Sequence, residues 1–339
     1  MNTEHLPLYI DHLLDPLVYA HPVQDVELVQ THISYVLLAG NYVYKFKKPV
    51  DFGFLDFSTL EKRELNCRRE LELNRRLCPD IYKGLVTVNE HGKALVLNGV
   101  GPVVEYGIKM IRMPQDRMMS AVIERGELAE EHIRQLVDVL VPFYQRAEHG
   151  HEIEKFGRSD QVAISVLENF DQTEEFIGQG GLSQEAFETI SASARHFLDN
   201  GALFDRRIEQ GRIRNCHGDL YSANICLDEP LHIYDCIEFN ERFRFTDVAS
   251  DVAFLAMDLD FHGLTDLASL FIDLFVRQSG DEGLLDVLPF YKCYRAYVRG
   301  KIGLFTAADP AVDEKTRERA LGGCARYFAL AKSYAVKEH

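Results

Sequence analysis

The sequence predicts an α+β chain with a strand-rich first third and a mainly helical remainder. Three observations support this. Residues 26–30, 35–38 and 42–47 are short runs rich in β-branched and aromatic side chains, punctuated by turn residues. From about Pro114 onward the periodicity changes, and Ile133, Leu136, Val137, Leu140 and Tyr144 recur at helical spacing. With 339 residues, 46% hydrophobic and 27% charged, the chain is long enough for two sizeable cores and has the composition of a soluble globular protein.

The first two strands are separated by Thr31-His32-Ile33-Ser34, and the Gly40-Asn41 turn leads into the third, 42–47. Lys45 lies on that third strand. Lys47 shares its face by the period of two and is the alternate; a solvated edge lysine is the competing reading of either. Residues 58–77 are rich in Leu, Glu and Arg and open with a capping box, Ser58 followed by Glu61, so they are predicted helical. Within this helix Glu70 falls on the stripe of Cys67, Leu73 and Leu77, where a buried carboxylate needs a cation. Lys45 is the expected partner; a surface pair with Lys62, Arg63 or Arg69 is the alternative. An apolar strand, 103–111, runs into Met110-Ile111-Arg112-Met113-Pro114, where helices take over. The next helix, 129–147, contains Pro142, which is expected to bend it. Gly178-Gln179-Gly180-Gly181 reads as a loop before a helix capped by Ser183, without the spacing or preceding strand of a dinucleotide fingerprint.

The chemistry concentrates in Cys216-His217-Gly218-Asp219-Leu220-Tyr221-Ser222-Ala223-Asn224, followed by Ile233-Tyr234-Asp235. Phosphoryl transfer needs a carboxylate to orient and deprotonate the acceptor hydroxyl, and oxygen ligands to hold Mg²⁺ against the phosphates of ATP. Asp219 is the candidate base. Asn224, five residues on, has the Asp-to-Asn separation of a protein-kinase catalytic loop, and Asp235 is the candidate second metal ligand. Residues 224–227 and 231–234 read as two short strands around Asp228-Glu229-Pro230, a pairing that would set Asn224 opposite Asp235. Taken singly, each of these residues is as readily a turn former or a cap; the compound pattern is what points to chemistry.

The order strand, loop, strand, Lys45, Glu70, His217-Gly218-Asp219, Asn224, Asp235 resembles the aminoglycoside phosphotransferase family over nearly the whole chain. The phrases Tyr44-Lys45-Phe46-Lys47-Lys48-Pro49-Val50, Phe54-Leu55-Asp56-Phe57-Ser58 and Asp235-Cys236-Ile237-Glu238-Phe239-Asn240 are similar to a bacterial group in which such a domain is often joined to a P-loop kinase domain. No GxxxxGK[ST] occurs in this sequence, so that second domain is not expected here. The resemblance implies a bilobal protein-kinase-like fold, with a small antiparallel-sheet N-lobe over 1–112 that binds nucleotide and a mainly helical C-lobe over 113–339 that holds the catalytic and substrate-binding residues. It implies Asp219 as base, Asn224 and Asp235 as magnesium ligands, Lys45 on the phosphates of ATP and Glu70 as its partner. Thr31 and Ser34 would lie in the phosphate-facing loop, and Met110 to Met113 would form the lobe hinge that meets adenine. His217, Asp247 and Asp251 would be scaffold residues.

This sequence departs from the family pattern in three places. Tyr221 stands where many relatives have a second histidine. The 31–34 loop lacks glycine, so phosphate contacts would come from backbone N–H groups and hydroxyls. Asp235 is followed by Cys236-Ile237, which argues against a protein-kinase activation segment. Asp51-Phe52-Gly53 is in the wrong chain order for a metal-binding DFG and reads as a turn.

Lys+Arg of 37 against Asp+Glu of 53 gives a net charge of −16, which disfavours nucleic acid and acidic membranes as partners and suits a cationic substrate. Seven cysteines without a CxxC make no disulfide framework and are expected to be buried thiols in a reducing compartment. Glu4, His5 and Asp11 stand where a secretory leader needs a basic region and an apolar core, and no apolar stretch approaches a membrane span, so a cytoplasmic protein is expected. For the substrate, Glu238, Asn240 and Glu241 suit cationic groups, whereas Lys292, Arg295 and Arg299 suit an anionic acceptor. The function expected is ATP-dependent phosphorylation of a small-molecule hydroxyl; the alternative is a nucleotide-binding regulatory module that keeps the fold without turnover. The acceptor, ATP against GTP, and the oligomeric state stay open.

Overall fold

The structure, a computed structural model, describes residues 6–92, 94–310 and 312–337; Glu4 and His5 of the leader argument lie outside them. The chain is α+β, as expected, and divides into two compact units. The first comprises Met1–Met118 together with Cys226–Asn240, and the second Met119–Ile225 together with Glu241–His339.

The first unit is built on a six-stranded antiparallel sheet: β1 (Val26–Gln30), β2 (Ser34–Ala39), β3 (Tyr42–Lys47), β4 (Tyr82–His91), β5 (Ala94–Leu97) and β6 (Val103–Ile111). Its spatial order is β1-β2-β3-β6-β4-β5. The first three strands form a meander because Gly40, at φ 58°, closes a tight turn that sets Ala39 opposite Tyr42. Register places Lys45 opposite Val36 on one side and Ile108 on the other. One face of the sheet packs Leu37, Ala39, Tyr44, Phe46, Val86 and Val88 against Tyr9, Ile10 and Leu13 of the N-terminal helix Leu8–Leu13. Alternation then sends Lys45 and Lys47 to the other face, where helix Leu60–Asn74 runs. Thr59 caps this helix, its hydroxyl accepting from the Lys62 N–H at 3.3 Å. The Ser58 cap expected from sequence is not used, because Ser58 is drawn back to Asp56 Oδ1 through both its N–H (3.0 Å) and its hydroxyl (2.6 Å).

The second unit is mainly helical. Helices Val248–Phe261 and Leu284–Ala308 form its centre, with Glu130–Arg146, Ser159–Thr173, Gln184–Leu198, Thr265–Ser279 and Glu314–Lys337 around them. Pro142 lies inside the helix Glu130–Arg146, and Ser183 caps Gln184–Leu198 as expected, accepting from the Ala186 N–H at 3.1 Å. A two-stranded ribbon, Ile213–Asn215 against Phe245–Asp247, leads directly into the His217 loop on one side and into helix Val248–Phe261 on the other. All seven cysteines are buried and none forms a disulfide. Asp51-Phe52-Gly53 is a turn, closed by the Gly53 N–H on Asp51 Oδ1 at 2.9 Å with Gly53 at φ 77°. Among the described residues no helix is long and apolar enough to cross a membrane.

Candidate active site

In the first unit, alternation along β3 aims two ammonium groups at one carboxylate. Lys45 Nζ lies 2.9 Å from Glu70 Oε1, and Lys47 Nζ lies 2.7 Å from Glu70 Oε2. Glu70 is fully buried, on the helix face that also buries Cys67 and Leu73. Burial opposes its ionisation, but Lys45 and Lys47 more than offset this and bring its pKa down to about 2. The segment that returns to this unit supplies the other charges: Lys45 Nζ also meets Asp235 Oδ1 at 2.5 Å, and Lys47 pairs with Glu238. Burial pushes the pKa of Lys45 down, yet Asp235, Glu70 and Glu238 together hold it well above its ordinary value. The side chains of Lys45 and Asp235 are 17% and 42% exposed, against 2% and 6% for Lys47 and Glu238. The first pair is therefore open to a ligand and the second is sealed.

The sequence offers Lys45 and Lys47 as alternatives; the structure brings both to Glu70. Glu238, expected to meet a cationic substrate, is instead buried against Lys47, whose ammonium also lies 4.8 Å from the centre of the Phe57 ring. Burial raises the pKa of its carboxyl, with Lys47 acting against this. Asn240 likewise turns inward, its Nδ2 donating to the Phe54 carbonyl at 2.9 Å. Asp235 has a left-handed backbone, φ 63°, a conformation aspartate tolerates better than most residues but one that costs energy and is found preferentially at functional sites. It is held there by the Cys236 N–H donating to Asn74 Oδ1 at 2.9 Å and by the Asp235 N–H reaching the Tyr82 hydroxyl at 3.4 Å.

In the second unit, the loop after the ribbon is hung on one carboxylate. Asp251, fully buried near the start of helix Val248–Phe261, accepts from the N–H groups of His217 (2.7 Å) and Gly218 (2.9 Å) and from the Tyr144 hydroxyl (3.1 Å). Arg295 lies 3.7 Å from the same carboxylate and donates to the Gly218 carbonyl at 3.0 Å. His217 is fully buried, and its Nδ1 accepts from the Asp219 N–H at 3.2 Å. Asp219 itself remains partly exposed. Asn224 donates through Nδ2 to both the carbonyl and Oδ2 of Asp219, each at 2.9 Å, so its amide oxygen takes no part in these bonds.

The hairpin around Asp228-Glu229-Pro230 forms, but its strands are shorter than expected. Asn224 ends a short 3₁₀ turn, Ser222–Asn224, and the paired strands are only Ile225–Cys226 and His232–Ile233. The segment coils because the Ser222 N–H is drawn to Asp258 Oδ2 (3.0 Å) and the Asn224 N–H to the Tyr221 carbonyl (3.0 Å).

In the β1–β2 loop, Thr31 Oγ1 accepts from the N–H groups of Ile33 (3.3 Å) and Ser34 (2.9 Å), and the Thr31 N–H donates to the Ser34 carbonyl (2.9 Å). These amides close the turn on itself, while the Ser34 hydroxyl is buried without a hydrogen-bond partner among the described residues. Met110, the last but one residue of its strand, pairs with Val43 and Tyr82, and Met113 follows the strand; both side chains are buried. An amide oxygen and a carboxylate are hard oxygen donors of the kind magnesium takes, so Asn224 and Asp235 fit that ion in chemical type.

A small unit on an antiparallel sheet, with a lysine–glutamate pair bridging strand and helix, and a helical unit carrying a His-Gly-Asp loop together define a protein-kinase-like fold. A glucosamine kinase solved with glucosamine, ADP and inorganic phosphate matches 94% of this chain and 77% of its own, with a TM-score of 0.51 and 14% identity. An amicoumacin kinase solved with AMP-PNP and Ca²⁺ matches 96% of this chain and 93% of its own, with a TM-score of 0.54 and 10% identity. No protein-family model matches the sequence. Among curated proteins, uncharacterized proteins of Mycobacterium tuberculosis (strain H37Rv) and Mycobacterium bovis are 33% identical over 288 residues, which is 84% of this chain and 56% of each relative. The chain thus spans little more than half the length of the curated relatives it matches.

Proposed function

We propose that this chain is an ATP-dependent phosphotransferase acting on a hydroxyl of a small molecule, a member of the aminoglycoside phosphotransferase family. The observation that carries this reading is Lys45, whose ammonium is shared between a buried helix carboxylate, Glu70, and the partly exposed carboxylate of Asp235. A lysine fixed by a helix glutamate next to a carboxylate strained into the left-handed region is the arrangement that charge neutralisation at a transferring phosphate calls for. The fold it shares with the glucosamine and amicoumacin kinases agrees with this.

In this reading Asp219 takes the proton of the acceptor hydroxyl at its carboxylate, oriented by the Asn224 amide and by a loop pinned to Asp251. The bond from the γ-phosphorus to the bridging oxygen of ATP breaks, a bond from that phosphorus to the acceptor oxygen forms, and ADP leaves. Lys45 offsets charge on the nucleotide phosphates and Glu70 keeps it in place. Asn224 and Asp235 would hold magnesium, which when bound neutralises and aligns the phosphates. The backbone from Met110 to Met113 would meet the adenine, and the 31–34 loop, with Thr31 and Ser34, would lie over the phosphates.

The test is a panel of hydroxylated metabolites with γ-labelled ATP and magnesium, run beside Asp219→Ala. Turnover should fall about 10²- to 10⁴-fold in the variant while ATP binding is kept; undiminished turnover rejects Asp219 as base. A second reading, a nucleotide-binding module without turnover, draws on the Thr31 loop, whose amides are spent within the turn. Magnesium-dependent ATP binding with no labelled product from any acceptor would favour it.

A further inference from the structure

Lys292, Arg295 and Arg299 follow one another at three- and four-residue spacing along one side of helix Leu284–Ala308. Two of them are spent inside the unit. Lys292 pairs with Asp260. Arg295, 5% exposed, is bound to the Gly218 carbonyl, to Ser250 and to Asp251, and so belongs to the frame under the Asp219 loop.

Arg299 is different. Its guanidinium lies 4.6 Å from the centre of the Tyr221 ring and 5.7 Å from that of Tyr327. Nε is buried and meets no hydrogen-bond partner among the described residues. No carboxylate among the described residues comes within ion-pair distance of the group, which stays partly exposed. Burial works against its charge, and Tyr221, Tyr327 and Asp219 hold its pKa above the ordinary value. Tyr221 lies two residues past Asp219 and packs its other neighbour, Phe254, as a stacked ring at 5.4 Å. The guanidinium hydrogen-bonds the Tyr327 side chain and feels the charge of Asp219, the carboxylate proposed as the base, but no ion pair among the described residues matches it and its Nε stays unpaired. Desolvating a cation without an anion is costly, and a buried N–H left unpaired calls for a reason.

We propose that Arg299 sets acceptor specificity: it receives an oxyanion, carboxylate or phosphate, carried by the same small molecule whose hydroxyl Asp219 deprotonates. The assignment rests on the phosphotransferase reading and narrows it to anionic acceptors, against the cationic substrate that the net charge of −16 suggests. Net charge acts at long range and is screened within about 8 Å at physiological salt, whereas a planar guanidinium binds an oxyanion through two parallel hydrogen bonds at contact. The Tyr221 and Tyr327 rings pack against the guanidinium and hold the fork, so little order has to be created on binding.

The full chain is given magnesium and γ-labelled ATP with gluconate against glucose, 3-phosphoglycerate against glycerol, and choline as the cationic control. The anionic member of a pair should be labelled with a kcat/KM at least about 10-fold above its neutral counterpart, and the pair that shows it tells carboxylate from phosphate. Arg299→Gln should raise KM for the anionic acceptor about 10- to 100-fold, and Arg299→Lys, which keeps the charge but loses the fork, should restore part of the preference. If Arg299 only tuned Asp219, both variants would shift the pH profile for every acceptor alike and leave the anionic-to-neutral ratio in place, which overturns the proposal. Preferential labelling of glucose, glycerol or choline also overturns it while leaving the phosphotransferase reading standing. Should no acceptor be labelled, ligand-observed NMR with gluconate and 3-phosphoglycerate separates the two ideas. Binding lost in Arg299→Gln and kept in Arg299→Lys supports the anion site and rejects the reaction; no binding to the wild-type chain rejects the site.

Discussion

Replacing Glu70 with glutamine tests the charge cluster directly, because one side chain there serves two lysines. Its carboxyl is fully buried and its pKa is brought from 4.5 to about 2. A displacement of that size corresponds to about 3 kcal/mol of preference for the ionised form in the folded state. Breaking a buried ion pair by removing one partner costs about 3–5 kcal/mol, the same order. The lower end applies here, since Lys45 keeps Asp235 and Lys47 keeps Glu238. A depressed carboxylate pKa means that this stability is fully present above about pH 4.5 and drains away as the pH falls toward 2. Urea unfolding followed by circular dichroism and by tyrosine emission, the chain having 15 tyrosines and no tryptophan, should show Glu70→Gln weaker by about 3 kcal/mol at pH 7, with the gap closing below pH 4. A loss under about 1 kcal/mol at pH 7, or a gap that does not change with pH, would show that the cluster is not held by its ion pairs.

Two further perturbations address the second unit. Arg207 donates to both oxygens of Asp247 (2.7 Å each) and to both of Asp281 (2.5 and 2.9 Å), with all three side chains 1% exposed. Arg207→Met leaves buried Asp247 without an ion pair and Asp281 with only Arg212 at 3.4 Å, and should lower the melting temperature by more than about 6 °C at pH 7; a drop under about 2 °C would contradict this. Lys301 donates to Gln172 Oε1 at 2.8 Å, and burial brings its pKa down to about 8. A lowered lysine pKa means the folded state is penalised for the charge below about pH 8, and the penalty fades as the pH rises toward 10.5. Lys301→Met should therefore be more stable than the wild type by about 1–2 kcal/mol at pH 7 and by almost nothing at pH 10.5 in urea titrations; an equal or larger gain at the higher pH would be the wrong sign.

Much of the first unit could be read along the chain because its signals are local. Strands 26–30, 42–47 and 103–111 coincide with the structure, since turn residues and polar breaks bound each of them. Alternation puts Lys45 and Lys47 on one face, and the helical stripe puts Glu70 inside, so two lysines and a glutamate are legible in the sequence itself. The helix start was misplaced by one residue because Ser58 and Thr59 are both competent caps; only the position of Asp56 decides between them. The role of Glu238 had no local signal: its partner Lys47 is 191 residues away, and a loop glutamate looks the same whether it is solvated or sealed. For the same reason Lys292, Arg295 and Arg299 were equivalent by spacing. What separates them is whether a carboxylate or carbonyl from another helix lies opposite, which is a property of packing.

The first unit is completed by a stretch that begins at Cys226, more than a hundred residues after Met118. A polypeptide emerging from the ribosome therefore has Lys45, Lys47 and Glu70 long before Asp235 and Glu238 are synthesised, and until then two ammonium groups must share a single carboxylate. Sheet and helix can assemble early, but their electrostatic balance waits for residue 238. A fragment ending at residue 118 should behave as an incomplete fold with surplus positive charge inside it, and it would be a poor candidate for separate expression.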